Sequence, residues 1–299
     1  MSNASSYDDG LRCTQQDSPD AFLSLNEAFL YEKEAQNSMV LGILIGYPWH
    51  KPGLKQRRFL TVQRGEKPVG YALQTEAKFG LMVSSMTDGE QDVLLDHLMS
   101  DNRPIARILG PNATATRCTQ LWAQHRGVEY QKEMLQGVLQ LHTVNTPELH
   151  NGAMRQAVDS QSERALIKRW RTAFVYDVAQ NDEDIARGLE VIRKRPMDPA
   201  RVFFWYNESG KPVSMAAKVR DSRTIGWISL VYTPPEHRGK GYASRLCAML
   251  SQNILDSDKR SCMLHTDLMN PTSNAIYHRI GYKKIGEWVV YTFQGTHSP

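Results

Sequence analysis

Residues 228–246 read ISLVYTPPEHRGKGYASRL. An apolar, β-rich run breaks at two prolines, passes through a basic loop holding two glycines, and enters a helix. Pro234 and Pro235 cannot donate to a sheet ladder, so the strand ends there. Gly239 and Gly241 let the backbone turn tightly and approach a ligand. Ala243, Leu246, Cys247, Leu250 and Ile254 fall on one face of the helix that follows. The free N–H groups at such a helix start, with the positive end of its dipole, favour an anion. Arg238 and Lys240 add charge, and the whole suits a pyrophosphate. It is not a Walker loop, because Lys240 precedes Gly241 and Tyr242 follows it. Nor is it a dinucleotide fingerprint, since Ser244 stands where GxGxxG needs its third glycine.

Working outward, the chain repeats itself. Phe59–Ala72 reads FLTVQRGEKPVGYA and Phe203–Ala216 reads FFWYNESGKPVSMA. Each is an apolar run, a turn with Gly, and Lys-Pro-Val, the pattern of a β-hairpin. The copies lie 144 residues apart, at Lys67 and Lys211. A second echo joins Gly127–Tyr130, leading into Gly137–Leu141, with Gly281–Lys284, leading into Trp288–Phe293. Two echoes in one order imply tandem copies of one fold. Thr143–Gly152, with its Pro, Gly and two Asn, is the expected link, so the domains are 1–149 and 150–299, with 1–19 mobile. The second copy reads as helices near 165–175 and 182–195, strands at 202–207, 213–219 and 224–233, a helix at 242–255, a strand at 261–268, a helix at 271–280 and closing strands from Tyr282. Hairpins with crossover helices imply an α+β fold, a mixed, mostly antiparallel sheet flanked by helices.

Composition bounds the class. Of 299 residues, 41% are hydrophobic and 23% charged, the balance of a globular protein. The longest apolar run, Met39–Tyr47, is nine residues, against the ~20 of a membrane span, and the polar start has no secretory pattern. The four cysteines are scattered without metal-ligand spacing, so no metal is expected and a cytoplasmic location is. Residues 1–149 hold 14 Lys+Arg against 17 Asp+Glu, while 150–299 hold 22 against 15. The basic half favours an anionic ligand. No recognition motif for nucleic acid accompanies it.

The stretch resembles the acetyl-CoA signature of the GNAT N-acetyltransferase superfamily, Arg/Gln-x-x-Gly-x-Gly/Ala, with Arg238, Gly241 and Ala243 in the defined places. Thr266–Tyr282, TDLMNPTSNAIYHRIGY, looks like that superfamily's last strand–helix element. The resemblance covers residues 150–299. In the first copy the corresponding stretch, Phe79–Asp101, lacks the signature, so the chain is similar to tandem members with a degenerate N-terminal copy. The resemblance implies that the backbone of Val231, Tyr232 and Thr233 pairs with the pantetheine arm of acetyl-CoA. It implies that Arg238, Gly239, Lys240, Gly241, Tyr242 and Ala243 hold the pyrophosphate, and that Asn270 and Asn274 reach the pantetheine amides. Asn270 also suits an N-cap, with Pro271 at the first helical position.

Tyr277 shares a helix face with Asn270, and the resemblance places it beside the cofactor sulfur. A hydroxyl of pKa ~10 there can stabilise or protonate a departing thiolate of ~8.5. The same likeness offers a backbone N–H of Val231–Thr233 for the oxyanion. His265, Asp267 and a water chain are alternatives for the base, Glu236 faces solvent, and Trp170 and Phe174 read as core or as acceptor contacts. Cys247 and Cys262 read as core. The implied activity is acetyl transfer from acetyl-CoA to a primary amine, by direct attack in a ternary complex; a non-catalytic acyl-CoA-binding module is the alternative. The acceptor is a small molecule or peptide, with no nucleic acid or membrane partner. The chain is expected to be a monomer whose first domain packs as an internal pseudo-dimer partner, or a homodimer.

Overall fold

The computed structural model describes residues 10–46, 57–101, 103–147 and 152–294. The elements run β1 (Leu11–Gln15), α1 (Pro19–Glu32), α2 (Glu34–Gly46), β2 (Arg58–Arg64), β3 (Lys67–Gln74), β4 (Leu81–Val83), α3 (Asp88–Asp101), β5 (Arg107–Pro111), α4 (Asn112–Arg126) and β6 (Tyr130–Leu141). They then run β7 (Ala153–Gln156), α5 (Gln161–Val178), α6 (Asp182–Lys194), β8 (Val202–Tyr206), β9 (Pro212–Asp221), β10 (Ile225–Tyr232), α7 (Tyr242–Asp256), β11 (Ser261–Asp267), α8 (Pro271–Ile280) and β12 (Lys283–Phe293). The second series repeats the order of the first, element for element, so the sequence echoes mark a structural repeat.

The compact units do not follow the expected boundary at 149/150. One takes the chain up to Gln136 together with everything from Gly286 on; the other is Gly137–Ile285. The reason lies in the last strand of each copy. In the first unit the strand order is β1-β2-β3-β4-β5-β12-β6. Trp288–Thr292 of β12 pair antiparallel with Pro111–Arg107 of β5, and Val289, Tyr291 and Phe293 enter that unit's core. In the second unit β11 is flanked by the C-terminal half of β6. There Leu139 and Leu141 are buried among α7, α8 and the sheet, and Gln140 donates to the Ser261 hydroxyl at 3.0 Å. Each copy thus completes its sheet with a strand of the other.

Two further expectations change. Residues 1–9 lie outside the described residues, but Leu11–Gln15 is not mobile: it pairs with Arg64–Leu60 of β2. In the expected link, residues 148–151 lie outside the described residues, and its start is tied down by the Asn145 N–H, which donates to the Ile280 carbonyl at 2.7 Å.

The second unit positions the site. Its sheet has apolar side chains on both faces. Phe203, Val213, Ile228, Cys262 and Leu264 meet Leu246, Leu250 and Ile254 of α7 and Ile280 of α8. On the other face Ile167 and Trp170 of α5 meet Phe204, Met215 and Tyr232. Trp170 packs edge-on to Phe204 at 5.6 Å, so its role is core.

Candidate active site

β10 and β11 run parallel but stay paired only from Ile225↔Ser261 to Trp227↔Met263. β10 continues to Tyr232 and β11 to Asp267, so beyond Trp227 the two strands part. A bulge accompanies the parting. Ser229 faces Ala217 of β9 and Tyr232 faces Met215, three steps on β10 against two on β9. The extra residue flips the alternation: Ile228 packs on the α7 face while Tyr232 packs on the α5 face, although four residues apart in a regular strand they share a face. Leu230 takes the strain, with φ +55°, a left-handed conformation costing a non-glycine residue about 1–2 kcal/mol. The Ser214 hydroxyl, 3.2 Å from the Tyr232 carbonyl and 2.9 Å from the Thr233 hydroxyl, steadies the far end. The result is a stretch of β10, Ile228–Tyr232, whose β11-facing edge has no strand beside it.

That edge leads into the loop. Gly239 and Gly241 have φ +75° and +72°, where an L side chain is strained. Gly241 is the N-cap of α7 and brings no side-chain cap. The N–H groups of Tyr242, Ala243 and Ser244 make no hydrogen bond to another described residue, while the Arg245 N–H closes the first helical bond to the Gly241 carbonyl at 3.1 Å. Arg245 is nine-tenths buried beneath the loop. Its guanidinium donates to the Lys240 carbonyl at 2.9 Å and lies 3.5 Å from where a Cβ on Gly241 would stand. The loop is thus a backbone cradle floored by a cation, and the residues present fit a diphosphate. The two basic side chains named from sequence serve the loop itself. Arg238 donates to the Thr233 carbonyl at 2.9 Å and pairs with Asp177 near the end of α5. The Lys240 ammonium donates to the Glu236 carbonyl at 3.3 Å.

The FR47-like protein family matches residues 207–291, which hold the parted strands, the loop and α8. The acetyltransferase Atu2258 of Agrobacterium fabrum is 39% identical over 64 residues, 20% of this chain and 44% of that protein. The chain thus spans less than half the length of this curated relative. A GCN5-related N-acetyltransferase from Sphaerobacter thermophilus has a TM-score of 0.59 at 16% identity, covering 96% of each chain. A Drosophila protein gives 0.58 at 17%, covering 95% of this chain and 98% of that one. At such identities the likeness is one of fold, and it runs the length of the chain. The chain has the fold of the GCN5-related N-acetyltransferases, and the FR47-like match lies in its second half.

The remaining candidate residues expected from sequence sit on and around α8. Asn270 caps the helix, its side-chain oxygen accepting from the Ser273 N–H at 3.0 Å, which leaves its amide N–H groups for a ligand. Asn274 donates to the carbonyls of Asp267 and Leu268, both at 3.2 Å, which leaves its side-chain oxygen. Tyr277 is buried, its ring edge-on to Tyr282 at 5.9 Å, and its hydroxyl has no hydrogen bond to a described residue. Burial, and secondarily Cys247, raises its pKa above the ordinary tyrosine value. Burial pushes the thiols of Cys247 and Cys262 up to about 12, so neither is a nucleophile at neutral pH. His265 is lowered to about 3 by burial and then by the charge of Arg220. The Asp267 carboxylate accepts the Met269 N–H at 2.8 Å, closing the turn after β11. Among the described residues there is no cluster of His, Cys, Asp or Glu that could hold a metal ion, and no helix is long and apolar enough to cross a membrane.

The first copy shows no equivalent opening among the described residues. β4 and β5 pair at Leu81↔Ile108 and Met82↔Leu109. They stay closed at Val83, whose carbonyl would stand 2.5 Å from a Cβ on Gly110. At the start of α3, the Glu90 carboxylate accepts the Thr87 N–H at 2.9 Å, which puts negative charge where the second copy offers bare N–H groups.

Proposed function

We propose that the second unit is an acetyl-CoA-dependent N-acetyltransferase that joins the acetyl group to a primary amine by direct attack in a ternary complex. The observation that carries this reading is the continuous surface from the unpaired edge of Ile228–Tyr232 into the open cradle at Gly239–Ser244. An extended amide chain pairs with such an edge as an added strand, and a diphosphate seats at a helix start. Val231, Tyr232 and Thr233 supply the main-chain partners, and the N–H groups through Ala243 receive the diphosphate. Asn270, with its spare amide donors, and Asn274, with its spare oxygen acceptor, flank the same chain. Acetyl-CoA supplies an activated thioester.

The protein's share of the chemistry is modest and local. A Tyr277 hydroxyl whose pKa is raised by burial stays protonated across the working range, so it donates a hydrogen bond to the sulfur as negative charge develops there. The main-chain N–H groups of the bulged edge do the same for the acyl oxygen. A base works best with a pKa near the operating pH. His265 lies far below that, and Asp267 is engaged in its turn, so the amine's proton leaves through water. Cys247 and Cys262 are buried thiols, which favours direct transfer over an acyl-enzyme.

The test is a thiol-release assay with acetyl-CoA and a broad panel of primary amines, run beside calorimetry of coenzyme A. Amine-dependent release is expected. Tight coenzyme binding without turnover on any amine would leave a binding module in place of an enzyme.

A further inference from the structure

Arg220, Trp227 and His265 form a row across three neighbouring strands. Trp227 of β10 stands directly opposite Arg220 of β9, so the two side chains share a face. The Trp227 ring meets the His265 ring of β11 at 4.9 Å, inclined by 63°. This face is opposite to that of Ile228, Cys262 and Leu264, which point to α7 and α8. Trp227 is 3% exposed, and its indole Nε1 is buried with no hydrogen-bond partner among the described residues. The Arg220 guanidinium likewise has no hydrogen bond or carboxylate among them. The adjacent carboxylate, Asp221, pairs with Lys218 at 3.2 Å. Arg220 is half-buried, and burial lowers its pKa. A buried indole N–H beside a half-buried guanidinium, with no carboxylate on the same face among the described residues, suits an acceptor, and the guanidinium suits a negative one.

The place is informative. Trp227 is the last residue of β10 still paired with β11, so the row lies at the vertex where the strands part. The cradle is at the other end of the open edge, about 17 Å away at ~3.3 Å per residue. A cosubstrate held by its diphosphate and laid along that edge brings its reactive end to the vertex. We infer that Arg220 and Trp227 bind a carboxylate of the acceptor, and that the acceptor is therefore a small primary amine bearing a carboxylate, of the amino-acid class. Polyamines and aminoglycosides bring further positive charge to Arg220 and are disfavoured. The inference rests on the acetyltransferase reading of the same site.

The test uses the full chain and needs no turnover. Glycine, alanine, glutamate and phenylalanine are titrated against their carboxamides, following tryptophan emission, with and without coenzyme A. The acids are expected to bind at least ten-fold more tightly than the amides and to change the emission, and Trp227→Phe is expected to remove that change. Arg220→Gln is expected to abolish the preference for the acid. Arg220→Lys, which keeps the charge, retains part of it and covers the case in which the glutamine variant does not fold. Equal binding of acid and amide, no binding of either, or a preference that survives in Arg220→Gln overturns the inference. Thiol release with cationic amines but not with amino acids would sink it while leaving the transferase reading intact. Binding of amino acids without thiol release would do the reverse.

Discussion

Gly241→Ala separates the role of the loop in stability from its role in binding. Residue 241 sits at φ +72°, and forcing alanine there costs about 1–2 kcal/mol. No clash adds to this, because the new Cβ would meet the Arg245 guanidinium at 3.5 Å, an ordinary contact. Gly210, in the turn between β8 and β9, is a matched control: its φ is +67° and a Cβ on it meets nothing within 4 Å. The two variants should therefore lose the same ~1–2 kcal/mol in urea unfolding. They should differ in coenzyme A affinity. If residue 241 relieves its strain by turning out of the left-handed region, the N–H groups at the start of α7 rotate away from the diphosphate. Losing one hydrogen bond to a charged group is worth about 1.5–3 kcal/mol, or about 10–150-fold in Kd. Calorimetric titration should show that loss for Gly241→Ala and unchanged binding for Gly210→Ala. Equal affinity in the two, at equal loss of stability, would refute the claim that this loop grips the diphosphate.

Tyr277→Phe should lower turnover about 10–100-fold with coenzyme affinity unchanged, as steady-state kinetics and calorimetry would show; unchanged turnover would remove the hydroxyl from the chemistry. Residues 150–299 expressed alone lack Gly137–Leu141, the strand beside β11 in the second unit. They should aggregate through that bare edge, whereas a soluble, fully active fragment on gel filtration would deny the strand exchange. His265 stays neutral in the fold down to about pH 3 against an ordinary 6.5. The unfolded chain therefore takes up the proton first, and stability that is full above pH 6.5 falls progressively as the pH drops toward 3. The slope from this one group is at most about 1.4 kcal/mol per pH unit. Denaturant titrations at pH 4–6 should be flatter in His265→Gln than in the parent.

The loop before α7 was legible because its geometry is local. Two prolines, two glycines and a helix pattern within Pro234–Ile254 fix where the strand stops and where N–H groups go unpaired. The Asn270 cap with Pro271 is local in the same way, and the repeat came from turn residues around Lys67 and Lys211. What escaped depends on partners far off in the chain. Nothing in Gly137–Leu141 or Trp288–Phe293 says which sheet it will join, because strand patterns specify faces and not neighbours. Leu230 is an unremarkable leucine until its register shows the bulge. Arg238 pairs with Asp177, 61 residues away, and Arg245 reads as one more polar residue on a helix until the loop is seen to rest on it. For His265 the sequence gives the face but not the surroundings, and burial with Arg220 nearby is what lowers its pKa. β1 was missed because LRCTQ is half polar and gains its place only by pairing with β2.

A crystal structure of the full chain with coenzyme A tests the central claim most directly. The expected result is the amide-bearing arm alongside Ile228–Tyr232, hydrogen-bonded to main chain, with the diphosphate on the N–H groups of Gly241–Ser244. A coenzyme bound elsewhere, or β10 and β11 zipped together past Trp227 with the loop in contact with its own side chains, would contradict it.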